Sequence, residues 1–295
     1  IHLCIETQTH FIVCNLADLG RAGNVALLVV NKETGDFHHR SKHRIFPRNT
    51  LQVDNRVERF TDPESGSFVT IDRQRVRFAI HLDELHIIGE ATLALGPPLV
   101  QVTRFQRGRG SLQWYGILQV VHGTLQIGGD VSPLPVGALG TYDRTAGHQR
   151  GLQNWNWIAT VGTATHSTLG SQPVGIQIAR DRDLAHPRVE GKKNVVWMND
   201  QLVKIPDVSF GYDYTDPEAK ETGPWQIQSP ADQTDDRFDL TFTPRHHRRE
   251  KRGGVLINVD FNQYYGEVSG DIVIHGERWT LQPTFAVCEE SLLEL

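Results

Sequence analysis

Apolar residues along this chain come in short runs that alternate with polar ones, punctuated by Gly, Pro, Asn and Asp. His10–Leu16 reads H-F-I-V-C-N-L and Asn24–Val30 reads N-V-A-L-L-V-V, with Gly20-Arg21-Ala22-Gly23 between them. Two β-rich runs around a glycine turn predict a hairpin. Phe68–Ile71, Val76–Leu82 and Leu99–Phe105 continue the pattern, and Val76, Phe78, Ile80 and Leu82 mark one strand face by their period of two. Trp114–Ile127 is a long β-rich stretch in which Gly116 and Gly123 are placed to bend or bulge the strand. The second half repeats the texture in Val174–Ala179, Asn194–Asn199, Phe238–Phe242, Val255–Phe261, Ile272–His275 and Trp279–Leu281. The 3.6-residue helical period is almost absent, and Leu85–Leu95 fits a short helix or a strand equally.

Turn signals recur about every 8–12 residues, the spacing of all-β barrels and sandwiches. A single closed barrel of about twenty such strands would enclose an aqueous channel, as membrane porins do. The outward positions carry too many charges for that. Two smaller barrels or sandwiches in tandem fit instead, with the proline-rich Val131–Gly137 as linker and 1–132 and 133–295 as domains. Thr61-Asp62-Pro63-Glu64 recurs as Thr215-Asp216-Pro217-Glu218, a faint echo of duplication, although Asp-Pro also starts many turns.

Composition narrows the function classes. A chain of 295 residues buries its cores without staples. Its net charge of −5 argues against a global polyanion binder, so no nucleic-acid partner is predicted. Cys4, Cys14 and Cys288 are odd in number and form no CxxC, which argues against a disulfide scaffold or structural zinc and fits a reducing, cytoplasmic setting. No apolar stretch is long enough for a membrane-spanning helix. The chain opens on Ile1 rather than Met, which predicts a segment upstream, and its first residues lack a signal-peptide pattern.

The densest chemistry lies in Gly140–Trp157, which holds Tyr142, Asp143, Arg144, His148, Arg150, Asn154, Trp155, Asn156 and Trp157. On a strand, Trp155 and Trp157 project to one face and Asn154 and Asn156 to the other. Inward asparagines need partners, and Tyr142, Asp143, Arg144 and Arg150 are the nearest suppliers. Desolvation beside tryptophan raises a carboxyl pKa and a neighbouring arginine lowers it. Two readings stand: a buried ion pair with core tryptophans, or a ligand site with Asp143 as its acid.

Gly140–Trp157, together with Asn194–Asp200, Gly223-Pro224-Trp225, Leu240–Pro244, Asn262-Gln263-Tyr264-Tyr265-Gly266 and Phe11–Gly20, resembles a bacterial family distantly similar to carotenoid 1,2-hydratases (hydroxyneurosporene synthases) and AttH-like proteins. The resemblance implies two lipocalin-like (calycin-type) β-barrels in tandem. It also implies a Tyr/Trp–Asp acid that protonates an isoprenoid double bond, for which Tyr142-Asp143 is the nearest match. Arg144 departs from that pattern and favours the carboxylate over the acid. Some fungal pericyclases also look like this architecture, so the fold alone leaves the chemistry open.

Other motifs carry less. His39 and His43, and His81 and His86 beside Asp83 and Glu84, are conceivable metal pairs without a third ligand, and no metal is predicted. Pro244–Gly254 is a basic run predicted as a solvated hairpin loop, with peripheral contact to anionic lipid as the alternative. Arg104, Arg107 and Arg109 form a second such turn. Of Tyr264 and Tyr265, one must face inward. The function expected is therefore binding of an apolar, isoprenoid- or lipid-like small molecule, with cofactor-free hydration, isomerisation or cyclisation. Asp143, Arg144, Arg150 and Tyr142 are the catalytic candidates; Asn154, Trp155, Asn156, Trp157, Gln263, Tyr264 and Trp225 are the ligand contacts. The alternatives are a non-enzymatic carrier, and a carbohydrate-active protein, which would need paired carboxylates across a groove.

Overall fold

The computed structural model describes residues 1–18, 22–45, 51–54, 57–104, 110–147, 152–181, 193–205, 207–213, 218–232, 235–253 and 258–294. The first sheet takes β1 (His2–Glu6), β2 (His10–Asp18), β3 (Ala22–Asn31), β4 (Phe37–Ile45), β5 (Leu51–Asp54), β6 (Val57–Asp62), β7 (Ser67–Asp72), β8 (Arg75–Leu82), β9 (Leu85–Arg104), β10 (Gly110–Ile127), β11 (Asp130–Pro133) and β12 (Leu139–Gly147). The second takes β13 (Leu152–His166), β14 (Gly170–Asp181), β15 (Val195–Met198), β16 (Gln201–Lys204), β17 (Ser209–Gly211), β18 (Trp225–Gln228), β19 (Arg237–Gly253), β20 (Asn258–Ile274) and β21 (Glu277–Glu294). One short helix, α1 (Ala219–Thr222), stands between β17 and β18.

Both sheets share one logic. The order β4-β3-β2-β1-β12-β10-β9-β8-β7-β6-β5 runs through a pairing of first strand with last, and β16-β15-β14-β13-β21-β20-β19-β18-β17 does the same. Each is an antiparallel meander curled into a lipocalin-like barrel, as the strand pattern and the family resemblance imply. Leu85–Leu95 resolves as strand, within β9. The chain divides into two compact units, Ile1–Pro98 with Trp114–Thr145, and Leu99–Gln113 with Ala146–Leu295. The proline-rich segment around Pro133 leads into β12, which pairs with β1, so the first sheet extends to Gly147. The first Thr-Asp-Pro-Glu begins on the last two residues of β6, and in the second copy Thr215–Pro217 lies outside the described residues.

Period-two alternation builds each core. Ile12, Cys14 and Leu16, Val25, Leu27 and Val29, and Phe78 and Ile80 face inward in the first barrel. In the second, Ile176 and Ile178, Phe238, Leu240 and Phe242, and Trp225 do so. All three cysteines are buried. Gly116 does not break β10; it makes room for an aromatic ring, since a Cβ there would lie 2.6 Å from Tyr142 Cε1.

The edge strand β4 carries cations where a core strand would carry aliphatics. Arg40 and Lys42 stand opposite the core residues Leu27 and Val25, and Arg44 opposite Gly23. Their partners are Glu84, Asp83 at 3.4 Å, and Asp62, which Arg44 grips with both ends of its fork at 2.9 and 2.8 Å. Inward-pointing charge blunts a sheet edge against pairing with other chains. Burial pushes the Asp62 carboxyl up, but hydrogen bonds from Arg44 and Ser65 outweigh it and hold the group below its ordinary value. A carboxyl depressed in the folded state contributes stability above about pH 4 that is lost as pH falls. Asp62→Asn is therefore expected to lower the melting temperature at pH 7, with the gap to the wild type narrowing by pH 3. A gap independent of pH would place the contribution of Asp62 outside the ion pair.

Candidate functional site at the mouth of the second barrel

Strand β19 enters the second core with Phe238, Leu240 and Phe242 facing inward. Its register against β20 then slips: Thr243 pairs with Glu267 and Pro244 with Gly266, but Tyr265 pairs with His246. Arg245 is the extra residue of a β-bulge, a device that re-aims side chains. Before the bulge even-numbered residues face the core, and after it odd-numbered ones do. His247 therefore lies opposite the inward Tyr264, and Arg249 opposite Asn262. Gly266 lets the bulged strand come close, because a Cβ there would sit 2.1 Å from the Thr243 carbonyl oxygen.

The inward residues form an aromatic stack ringed by ion pairs. The His247 ring lies flat on Tyr264, centroids 4.4 Å apart and planes 6° from parallel. Trp225 follows at 4.8 Å, and Tyr212 lies 4.8 Å beyond it. The Trp225 indole donates to the Lys220 carbonyl at 3.0 Å, which anchors helix α1 over the end of the barrel. From that helix Glu221 Oε1 stands 3.2 Å from His247 Nδ1, and Lys220 Nζ stands 2.7 Å from Glu290 Oε2. The other imidazole nitrogen, Nε2, lies 3.2 Å from Asn262 Oδ1. The Asn262 amide donates to Asp260 at 3.1 Å, which fixes its orientation, and Arg249 holds Asp260 in a fork at 2.9 and 2.8 Å. Both ring nitrogens of His247 thus face acceptor oxygens. Burial pushes the Tyr264 phenol well up, so it stays protonated.

The sequence-predicted residues divide among three places. Trp225, Tyr264 and Asn156 share the second barrel's interior, Asn156 standing opposite Glu290 across β13 and β21. Asn154 has the same parity one step further along. Trp155, Trp157 and Gln263 face the opposite side of the sheet, where Trp157, Glu289, Gln263 and Arg248 form one row over four strands. There Glu289 accepts from Trp155 Nε1 at 2.8 Å and from Gln263 Nε2 at 2.7 Å. The Gln263 carbonyl accepts from Tyr265 at 2.6 Å and from Arg248 at 3.1 Å. The carboxylate hydrogen-bonded to Trp155 is thus Glu289, from the last strand. Tyr142 and Arg144 face the interior of the first barrel. Arg144 pairs with Glu58 and lies 3.6 Å over the Trp114 ring, while Asp143 faces the other way, opposite His2. Arg150 and His148 lie outside the described residues.

The basic run at Pro244 is not a loop. It is the second half of β19, because β20 supplies it with a full ladder and acidic partners such as Asp260. Arg107 and Arg109 lie outside the described residues, and Arg104 ends β9. His39 and His43 sit on β4, where four residues span about 13 Å, too far to share an ion. His81 and His86 meet across a hairpin with Nδ1 atoms 3.3 Å apart, and among the described residues no group of three ligands forms. No helix among them is long and apolar enough to cross a membrane. His247, Glu221, Asn262 and Glu290 were not anticipated from the sequence; the inward parity of Tyr264 and its neighbour Asn262 was the available signal.

Fold and site together define a tandem lipocalin-like protein with a polar, aromatic barrel mouth. A family model described as a domain of unknown function, DUF2804, matches residues 2–293, and the chain belongs to that family. The structure of kievitone hydratase from Nectria haematococca is similar over 98% of this chain and 87% of its own, at 15% identity and a TM-score of 0.59. An AttH-like protein from Nitrosomonas europaea is similar over 99% of this chain and 91% of its own, at 13% identity and a TM-score of 0.56. At these identities the likeness is one of fold. No curated protein sequence matches the chain.

Two expectations follow from this geometry. Arg144→Met leaves Glu58 unpaired in the first barrel and is expected to cost about 3 kcal/mol in urea unfolding, most of it restored in Arg144→Met/Glu58→Leu. Deleting Arg245 removes the extra residue while every later residue of β19 keeps its partner on β20, so His247 still lies opposite Tyr264. The upfield ring-current shift of the His247 protons over Tyr264 should then persist in the NMR spectrum; its loss would show that more than the register with β20 sets the inward face.

Proposed function

We propose that the chain binds an apolar small molecule at the mouth of its second barrel and converts it by acid–base chemistry that its own side chains supply. Barrel mouths are common ligand sites, with apolar walls and a few placed polar groups. The observation that carries the reading is His247, stacked on Tyr264 and held between Glu221 and Asn262 at 3.2 Å each. An imidazole so placed is set to give up a proton, and Glu221 to receive one. Addition of water to a double bond is the reaction that uses both. His247 gives a proton to one carbon and water bonds to the other. The water's proton passes to Glu221 and returns across the hydrogen bond to Nδ1. Isomerisation uses the same pair without the water. A hydratase among the proteins of similar fold is consistent with this class, and Trp225, Tyr264 and Tyr212 supply the wall against which an isoprenoid- or lipid-like body packs.

The second reading is a carrier that binds without converting. It is favoured by the pairing of Lys220, His247 and Arg249 with carboxylates at the mouth. Incubation with a mixed lipid extract, followed by mass spectrometry of bound and free compounds, separates the two. An enzyme yields a species 18 mass units heavier, or an isomer. Loss of a general acid or base lowers turnover by about 10²–10⁴, so His247→Asn and Glu221→Gln should abolish conversion while the bound compound is retained. Compounds recovered unchanged from the wild type and from both variants would leave the carrier.

A further inference from the structure

Asn156 presents an unsolved problem in hydrogen bonding. The residue is 3% exposed, and its Nδ2 is buried with no acceptor. Unbroken register with β21 and β14 gives it the parity of the core residue Ile158, so it faces the barrel interior. Its neighbour across the sheet is Glu290, whose carboxylate is taken by Lys220. Buried amide N–H groups nearly always have a partner, and one left dry is costly. The amide is thus a donor waiting for an acceptor beside the aromatic stack.

We infer that the mouth of the second barrel takes a neutral, planar, conjugated carbonyl compound, and that Asn156 Nδ2 donates to its carbonyl oxygen. The inference rests on the mouth being a ligand site. Planarity follows from the flat faces of His247, Tyr264 and Trp225. The three rim pairs, Lys220–Glu290, His247–Glu221 and Arg249–Asp260, are each matched, and Asn156 itself stands between Glu290 on β21 and Arg180 on β14. An ammonium group cannot accept from Asn156 and would meet Arg180, and a carboxylate would bring a second negative charge beside Glu290, so the ligand is neutral. A carbonyl conjugated to a double bond also suits the proton pair. Water bonds to the far carbon and its proton passes to Glu221. The electron pair of the double bond moves toward the carbonyl oxygen, where Asn156 N–H holds the enolate. His247 then protonates the carbon next to the carbonyl, and Glu221 returns its proton to His247. The net change is one water added.

The test uses 2-acetylnaphthalene and 2-ethylnaphthalene, which share one skeleton and differ in the carbonyl, titrated against tryptophan fluorescence. The wild type should bind the ketone about tenfold more tightly, the effect of one hydrogen bond. Asn156→Leu should lose that preference, bind the hydrocarbon as the wild type does, and melt no lower. If the leucine variant does not fold, Asn156→Ala takes its place. A preference that survives the substitution, or no preference in the wild type while both compounds bind, would overturn the role of Asn156 and leave the ligand site standing. Failure of both compounds to bind would overturn the site itself.

Discussion

Pairing of the first strand with the last is the contact on which each half of this protein depends. β1 lies against β12, and β13 against β21, so each meander is held at the two points of its sequence furthest apart. Such contacts must overcome the entropy of closing a long loop before they return any stability. Once made, they leave consecutive strands, β4 with β5 and β16 with β17, as the free edges of the sheet. They also bring Asn156 beside Glu290, and Trp155 within reach of Glu289. Neither neighbourhood exists until the barrel closes.

The four strands β13, β21, β20 and β19 serve two purposes because a strand has two faces. One face carries the buried polar row of Glu289, Gln263 and Arg248, with Trp155 donating to Glu289 and Tyr265 to Gln263. The other carries Asn156, Glu290, Asn262, Tyr264 and His247. The first row ties neighbouring strands together by side chains as well as backbone, so residues on the second cannot drift in register. The bulge at Arg245 is the one place where β19 and β20 change parity. It converts a strand that fills a core into one that delivers an imidazole to its rim.

Much of the architecture was legible in the residues. Val76, Phe78 and Ile80 alternate so strictly that their strand and its inward face follow directly. Candidate residue types were also legible: Trp225, Tyr264 and Asn156 stand out in the sequence by their chemistry. Their grouping was not, since it depends on register between strands far apart in sequence. β20 passes through Asn262–Gly270, where Tyr264, Tyr265 and Val268 stand among polar and small residues too irregularly to mark a strand, and its strand character comes from the neighbours it pairs with. His247 was hidden twice. It stands in a run whose charge reads as a solvated loop, and the bulge that turns it inward is made at an arginine, which no turn chemistry marks. A buried ion pair was one of two readings for Arg144, with Asp143 as the partner, but Glu58, which answers it, comes from another strand.

The closed accounts of charge at the second barrel's mouth also govern how fast anything reaches it. Lys220 and Arg249 each have a carboxylate within about a hydrogen bond's length, so their fields largely cancel over short distances. For a neutral ligand there is no electrostatic funnel, and encounter proceeds at the unsteered rate set by diffusion and orientation. Arrival is then nearly indifferent to ionic strength, and discrimination among ligands falls to how long each one stays.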